Sequence, residues 1–444
     1  MVRVLCHGAF DLLHPGHIQH LKEARALGQE LIVSLTADAY VQKGPGHPVF
    51  GEQERIEMLE ALRLVDKVVL VHDFTALPAI YEYQPDIYCK GSEYRQTDRI
   101  GNLATEVEAV KSYGGQIAFT EGPANSSTEL INRWLSPFSE KVQTYLAECR
   151  QSFNAQEVLK YIDQCAELIP DLIGEFILDE YVFVEPQGRS AKENYIAFKR
   201  DKVEQYEGGI YAIGNHVRQL CPSLSLPEKP GHPLIKRRYI SEPFFVKLFS
   251  EIEISDISHG EFIDYKHFRI VGDFGHGLIP NSQVASNIAN HSSYLALTVQ
   301  TNSANWGFNL VTKWPRADYL VIDDIELRLA MQKQHESIEK MDIYGWIQNH
   351  HVKNMMLTLG HRGLRFYGES GFCHAAPALS TKILDRMGAG DAVLGWTAPL
   401  AAIGAPPEII TFVGACAGAI KVGILGNKPV EKETIKQWII SLLK

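Results

Sequence analysis

The first 135 residues alternate between short apolar runs and amphipathic stretches. This alternation limits the fold more than any other feature of the chain. Strand-like runs lie at Val2–Cys6, Glu30–Thr36, Lys67–Val71, Asp86–Lys90 and Gln116–Thr120. Helical periodicity fills the gaps at Ile18–Leu27, Gln53–Leu64, Ala76–Tyr83 and Leu103–Tyr113. Strands this short and apolar belong in a parallel sheet covered by helices on both faces, a doubly wound Rossmann-like α/β domain. In such a fold, ligands bind beyond the carboxyl ends of the strands, where the strand order reverses.

At 444 residues the chain is long enough for two or three domains. The first domain is expected over 1–135. Residues 136–168 read as a helical connector without strand signals, and a second α/β domain is expected over 169–444. That domain opens at Asp171-Leu172-Ile173-Gly174. Its sheet signals lie around Lys236–Ile254 and at Phe268–Asp273, Tyr294–Val299, Tyr319–Ile322 and Met355–Leu359, and two apolar helices close it after Met387. The apolar stretch Ile409–Leu425 contains three glycines and Lys421, so it reads as a buried core helix rather than a membrane span. No signal peptide is visible at the N-terminus. The seven cysteines are scattered and never spaced C-x-x-C, which fits a reducing cytoplasm. The net charge of −10 argues against a general nucleic-acid binder but leaves room for a nucleotide site.

The segment from His7 to His17 follows the first strand and opens the first helix. A helix N-terminus presents unpaired backbone N–H groups and positive dipole, which suits phosphate. Gly8 and Gly16 let the backbone approach closely, and His14 and His17 can both donate to phosphate oxygens. Taken alone, His14-Pro15-Gly16-His17 is a turn with two histidines. Its position between strand and helix gives it chemical meaning.

Gly8-Ala9-Phe10-Asp11 followed by His14-Pro15-Gly16-His17, with Asn125-Ser126-Ser127-Thr128 later, resembles the signature of the cytidylyltransferase-like nucleotidyltransferases. Lys43-Gly44-Pro45-Gly46-His47-Pro48 and Pro85 through Tyr94 are closer to the adenylyltransferase half of bifunctional ADP-heptose synthesis enzymes. His47 stands there in place of arginine, and Glu93 in place of aspartate. The resemblance implies that His14 and His17 hold the triphosphate and that Lys43 neutralises phosphates. It makes Arg55 and Lys90 further phosphate or nucleotide contacts, as are Gly8, Phe10 and Gly16. Ser126, Ser127 and Thr128 would meet phosphate at a second helix start. Mg²⁺ is implied as a bridge between phosphates, with ATP or CTP as substrate. The heptose-type segments favour ATP and the wider superfamily favours CTP.

In the second domain, Asp385-Arg386-Met387-Gly388-Ala389-Gly390-Asp391 precedes an apolar helix. Gly388, Ala389 and Gly390 can form an anion hole of backbone amides, and Asp391 can accept a proton from an attacking hydroxyl. This segment resembles the ribokinase-like (PfkB) sugar kinases. Asp179 and the pair Gly208-Gly209 look like their substrate-side elements. Thr358, Gly360 and Gly363 match the nucleotide-lining motif, and Glu326 falls where a metal-linked glutamate is expected. Glu175, Ala212, His276, Asp323 and Arg386 depart from the family pattern.

The combined resemblance implies a sugar kinase and a sugar-phosphate nucleotidyltransferase on one chain, with the transferase first, the reverse of the family order. The partners are a nucleoside triphosphate and a sugar or sugar phosphate, with no nucleic acid and no membrane; a homodimer is compatible. An alternative keeps the transferase and makes the kinase fold catalytically silent, for ligand binding or assembly. A third reading, from the similar motif of tRNA synthetases, is disfavoured by the acidic balance.

Overall fold

The computed structural model divides the chain into two compact units, Met1–Ser139 and Glu140–Ile439. It describes residues 1–41, 46–91, 103–121, 138–190, 192–241, 246–253, 264–302, 305–368, 370–371 and 373–444.

The first unit holds five parallel strands: β1 (Arg3–Gly8), β2 (Glu30–Thr36), β3 (Lys67–Val71), β4 (Ile87–Lys90) and β5 (Gln116–Phe119). Their order is β3-β2-β1-β4-β5. The chain winds outward from β1 to β3 and then crosses to the other side for β4 and β5. The reversal of order falls between β1 and β4. Alternate residues serve opposite cores. Val4, Cys6, Leu31 and Val33 pack with Leu21 and Leu59 on one face. Leu5, Ile32 and Tyr88 pack with Ile80 and Val110 on the other. Each buried aliphatic side chain is worth about 1.5–3 kcal/mol, and burial on both faces is why these strands read as unbroken apolar runs. The first helix, Pro15–Ala26, starts three residues ahead of its periodic pattern, because proline tolerates the first helical position and His14 caps it.

The second unit begins with helices Glu140–Ser152 and Ala155–Gln164, the latter capped by the Asn154 side chain. Its strands are β6 (Asp171–Gly174), β7 (Phe176–Arg189), β8 (Ile196–Gly209), β9 (Leu234–Ser241), β10 (Val246–Glu253), β11 (Lys266–Asp273), β12 (Ser292–Val299), β13 (Ala317–Asp323), β14 (Val352–Thr358), β15 (Leu364–Gly368) and β16 (Cys373–Ala376). Seven form the main sheet in the order β16-β15-β14-β13-β12-β11-β6. The run from β6 to β14 is parallel, and β15 and β16 add an antiparallel edge. Its core includes Leu295, Leu297, Leu320, Ile322, Met355 and Leu357. The other four strands make a separate sheet, β10-β9-β7-β8, around a long antiparallel hairpin.

Helices Ala389–Ala402 and Pro407–Lys421 are almost wholly buried, and a third helix, Lys432–Leu442, follows where the sequence suggested two. The stretch read as a core helix is one. Among the described residues no helix is long and apolar enough to cross a membrane. All seven cysteines are free.

Candidate active sites

In the first unit, the turn from β1 into the helix Pro15–Ala26 lies at the reversal of strand order. Phe10 takes a left-handed φ of 43°, which costs a non-glycine residue about 1–2 kcal/mol. Its buried ring offsets that cost by packing against His17, 5.4 Å between centroids. His14 is the N-cap: its Nδ1 accepts from the Gly16 N–H at 3.0 Å. With Nδ1 occupied as an acceptor, the proton of the neutral ring sits on Nε2. The His14 and His17 rings stack 4.0 Å apart at the start of the helix, and the first turn carries no acidic residue to repel an anion.

The site has a brace that sequence reasoning missed. Asp11, fully buried, accepts from Val49 N–H at 2.6 Å, Phe50 N–H at 3.1 Å and His47 Nδ1 at 2.9 Å. Burial pushes its carboxyl up, and the bonds from His47, Phe50 and Val49 outweigh that, so it ends below the usual carboxylate range. The histidine found in place of arginine thus ties the loop after residue 45 to the turn after β1.

Arg55, expected to contact nucleotide, has another place. It is fully buried and donates to Phe50 O at 3.0 Å, Ala9 O at 2.5 Å, Thr36 O at 3.0 Å and Asp38 Oδ1 at 2.5 Å. Its guanidinium is spent on locking the ends of β1 and β2 together. Lys90 ends β4 across the reversal point, 3.2 Å from the buried Glu106, which also accepts from Tyr88 OH and Ala76 N–H. Beside it, His7 is pushed down to about 3 by burial first and by Lys90 second, so it is neutral at physiological pH. Lys43, Ser126, Ser127 and Thr128 lie outside the described residues.

In the second unit, Gly388 enters the helix Ala389–Ala402 with φ 72°, and Asp391 lies in its first turn. Asp391 is 8% exposed. Burial pushes it up to about 6, Asp179 adds to the rise, and the Gln300 hydrogen bond with Lys421 and Lys236 opposes it. A carboxylate poised there suits proton acceptance near neutral pH. Thr358, Gly360, Gly363, Ala389 and Gly390 all line one cavity of about 260 Å³, with Arg386 and His361 on its wall. Five nucleotide-side residues named from sequence therefore converge.

Asp179 is buried between Arg238 and Asn427, which both donate to it. A side chain at Gly208 would meet the Asp179 carboxylate at 2.4 Å, and one at Gly209 would meet Glu175 O at 2.1 Å, with φ at 61°. The glycine pair is required by that close approach. Two of the departures from the family pattern, Glu175 and Asp323, have local explanations. Glu175 accepts from the N–H groups of Phe274, His276 and Leu278, bracing their turn. Asp323 caps the helix Asp324–Met331 and exchanges bonds with Glu326. Ala212 is buried in the helix Ile210–Leu220.

Glu326, expected at a metal, spends its carboxylate on Asp323 N–H at 2.8 Å and Thr301 N–H at 3.1 Å; burial, then Asp323, pushes it up. Among the described residues no group of three or more His, Cys, Asp or Glu could hold a metal ion. Two further residues were not among the candidate site residues. Lys421, fully buried, donates to Gly426 O at 2.6 Å beside Gly388, and Gln300 donates to Asp391.

Residues 5–133 match the cytidylyltransferase-like family, and residues 283–429 match the pfkB family of carbohydrate kinases. The bifunctional protein HldE of Magnetococcus marinus is 40% identical over 133 residues, which cover 29% of this chain and 26% of that protein. The chain thus spans about a quarter of the length of the curated relatives it matches. A solved lipopolysaccharide core biosynthesis protein from Thermoplasma volcanium is 30% identical, covering 28% of this chain and 98% of that one, with a TM-score of 0.25. Ribokinase from Thermotoga maritima is 15% identical, covering 60% and 98%, with a TM-score of 0.48.

Proposed function

We propose that this chain, which joins a cytidylyltransferase-like domain to a pfkB-type carbohydrate-kinase domain, carries out two consecutive reactions on a sugar. The kinase unit phosphorylates a sugar or sugar phosphate. The transferase unit joins the phosphorylated product to ATP or CTP and releases pyrophosphate. The observation that carries this reading is the presence of two differently equipped helix N-termini, His14 with His17 in one unit and Gly388 to Asp391 in the other.

In the kinase step, a sugar hydroxyl gives its proton to Asp391 and its oxygen attacks the γ-phosphorus, while the bond to the nucleoside diphosphate breaks. The amides of Gly388, Ala389 and Gly390 receive the charge that gathers on the phosphoryl oxygens. In the transferase step, a phosphate oxygen attacks the α-phosphorus in line, and the bond to pyrophosphate breaks. His14 and His17 donate to the oxygens on which charge builds. Mg²⁺ neutralises phosphate charge when bound, and it commonly needs only one or two carboxylates besides phosphates and water. The Glu326 carboxylate, where the resemblance places such a cation, is instead held by the N–H groups of Asp323 and Thr301. The scattered cysteines, never spaced C-x-x-C, agree with a cytoplasmic setting.

A silent kinase fold is the competing reading, and its support came from Asp323 and Arg386. Asp323 serves as a helix cap, a task aspartate and asparagine perform equally, which gives that departure a structural role. Arg386 lines the nucleotide cavity, where a cation suits phosphate. Purified protein is to be given each of the four nucleoside triphosphates with a panel of sugars and sugar phosphates. The expected result is nucleoside diphosphate formation with one sugar and pyrophosphate release with its phosphorylated product. Pyrophosphate release without any phosphorylation would favour the silent fold, and neither product would refute the proposal.

A further inference from the structure

This inference rests on the kinase reading above. We infer that Gln300 is the positioning residue of Asp391, holding one carboxylate oxygen so that the other receives the proton of the sugar hydroxyl. Gln300 directly follows β12, at the carboxyl ends of the parallel strands. Its side-chain Nε2 donates to Asp391 Oδ1 at 2.8 Å, across 91 residues of sequence.

The backbone of Gln300 is clamped on both sides. Its N–H donates to Asp273 O at 2.8 Å, and its carbonyl accepts from Asn309 Nδ2 at 3.2 Å. Asn309 Nδ2 also reaches Asp273 O and Oδ1, each at 3.1 Å. The Asp273 carboxylate is held in turn by Trp314 Nε1 at 2.9 Å and Lys313 Nζ at 2.7 Å. A chain of buried and part-buried groups that satisfy one another therefore ends on the proton acceptor. Such networks fix a rotamer more firmly than a single bond does.

The other groups that act on Asp391 are charged. Asp179 on β7, Lys236 on β9 and Lys421 at the end of Pro407–Lys421 shift its proton affinity, and Glu326 on Asp324–Met331 is shifted by Asp391. Gln300 is a neutral donor, so it stabilises the ionised carboxylate without cancelling the charge that makes it a base. Removing the donor raises the affinity of Asp391 for its proton and frees its rotamer.

The test compares Gln300→Leu and Gln300→Asn with the full-length wild type. Gln300→Asn keeps the amide on a stem one carbon shorter, and it carries the comparison if the leucine variant does not fold. For each variant at pH 6.5, kcat for phosphorylation is expected to fall about 10- to 100-fold, the scale of a misplaced catalytic group. KM for sugar and nucleotide should stay within about twofold, since neither substrate is bound by this amide. The acid limb of kcat should move to higher pH, so that part of the loss is recovered by pH 9. An unchanged kcat, or an equal loss at every pH with raised KM, would overturn the assignment.

If wild type phosphorylates no sugar in the panel, the kinase reading fails on its own terms. A second readout then decides the role of Gln300. Carboxyl-¹³C aspartate is incorporated, the Asp391 signal is assigned by its absence in Asp391→Asn, and its titration is followed by NMR. A midpoint higher in Gln300→Leu than in wild type upholds the positioning role, and an identical midpoint refutes it.

Discussion

The two helix N-termini proposed to hold phosphate are built in opposite ways. In the first unit the cap is a histidine, proline opens the helix and the first turn has no acid. In the second unit glycine opens the helix without a side-chain cap, and Asp391 stands in the first turn, pushed up to about 6 mainly by burial. On the proposed reading, the difference follows from what attacks phosphorus. A phosphate nucleophile is already ionised and needs donors for the leaving charge, so an acid at the helix start would only repel it. A sugar hydroxyl must lose a proton, so its site keeps a carboxylate beside an anion hole and accepts the raised pKa that results.

The largest effect should come from removing the base. Asp391→Asn is expected to lower nucleoside diphosphate formation by about 10²- to 10⁴-fold and leave pyrophosphate release unchanged. His17→Ala reverses the pattern. Loss of one fixed donor should cost about 10²- to 10³-fold in pyrophosphate release, with phosphorylation intact, as measured by release from a preformed sugar phosphate. An intermediate effect is expected from pH. Asp391 must be ionised to act, so phosphorylation should drop about tenfold for each pH unit below about 6, a slope that follows from a single titrating carboxyl. Pyrophosphate release should be insensitive to Asp391→Asn at every pH.

The smallest functional effect, and a structural one, concerns Arg55. Arg55→Met leaves the carbonyls of Ala9, Thr36 and Phe50 and the Asp38 carboxylate without their donor, and should cost about 3 kcal/mol. Urea denaturation followed by pyrophosphate release and by phosphorylation should show the transferase lost first. Equal loss of both activities would blur the distinction between the units.

Much of this comparison was legible in the sequence, and the parts that were not share a cause. β2 falls on the run read from sequence because a strand buried on both faces is apolar throughout, and the edge strand β3 does so through its run of valines and leucine. The hairpin of β7 and β8 is not among the sheet signals read from sequence. Its β8 arm is half exposed and carries the charged run Lys199-Arg200-Asp201-Lys202, which has no burial pattern to betray a strand. His14, His17, Gly388 and Asp391 were visible because turn, cap and chemistry sit within a few residues of one another. Asp11 with His47, Arg55 with Thr36 and Gln300 with Asp391 are paired across 36, 19 and 91 residues, and no local pattern marks them. Arg55 shows the risk most plainly: a basic residue near a phosphate motif turned out to be a buried brace.

The most direct test of the central claim measures both products at once. Wild type, Asp391→Asn and His17→Ala receive the sugar, its phosphorylated form and the preferred nucleotide, and nucleoside diphosphate and pyrophosphate are quantified together. The account predicts that Asp391→Asn loses only the diphosphate and His17→Ala only the pyrophosphate. Loss of both products in either folded variant, or of neither, would contradict two chemically distinct sites on one chain.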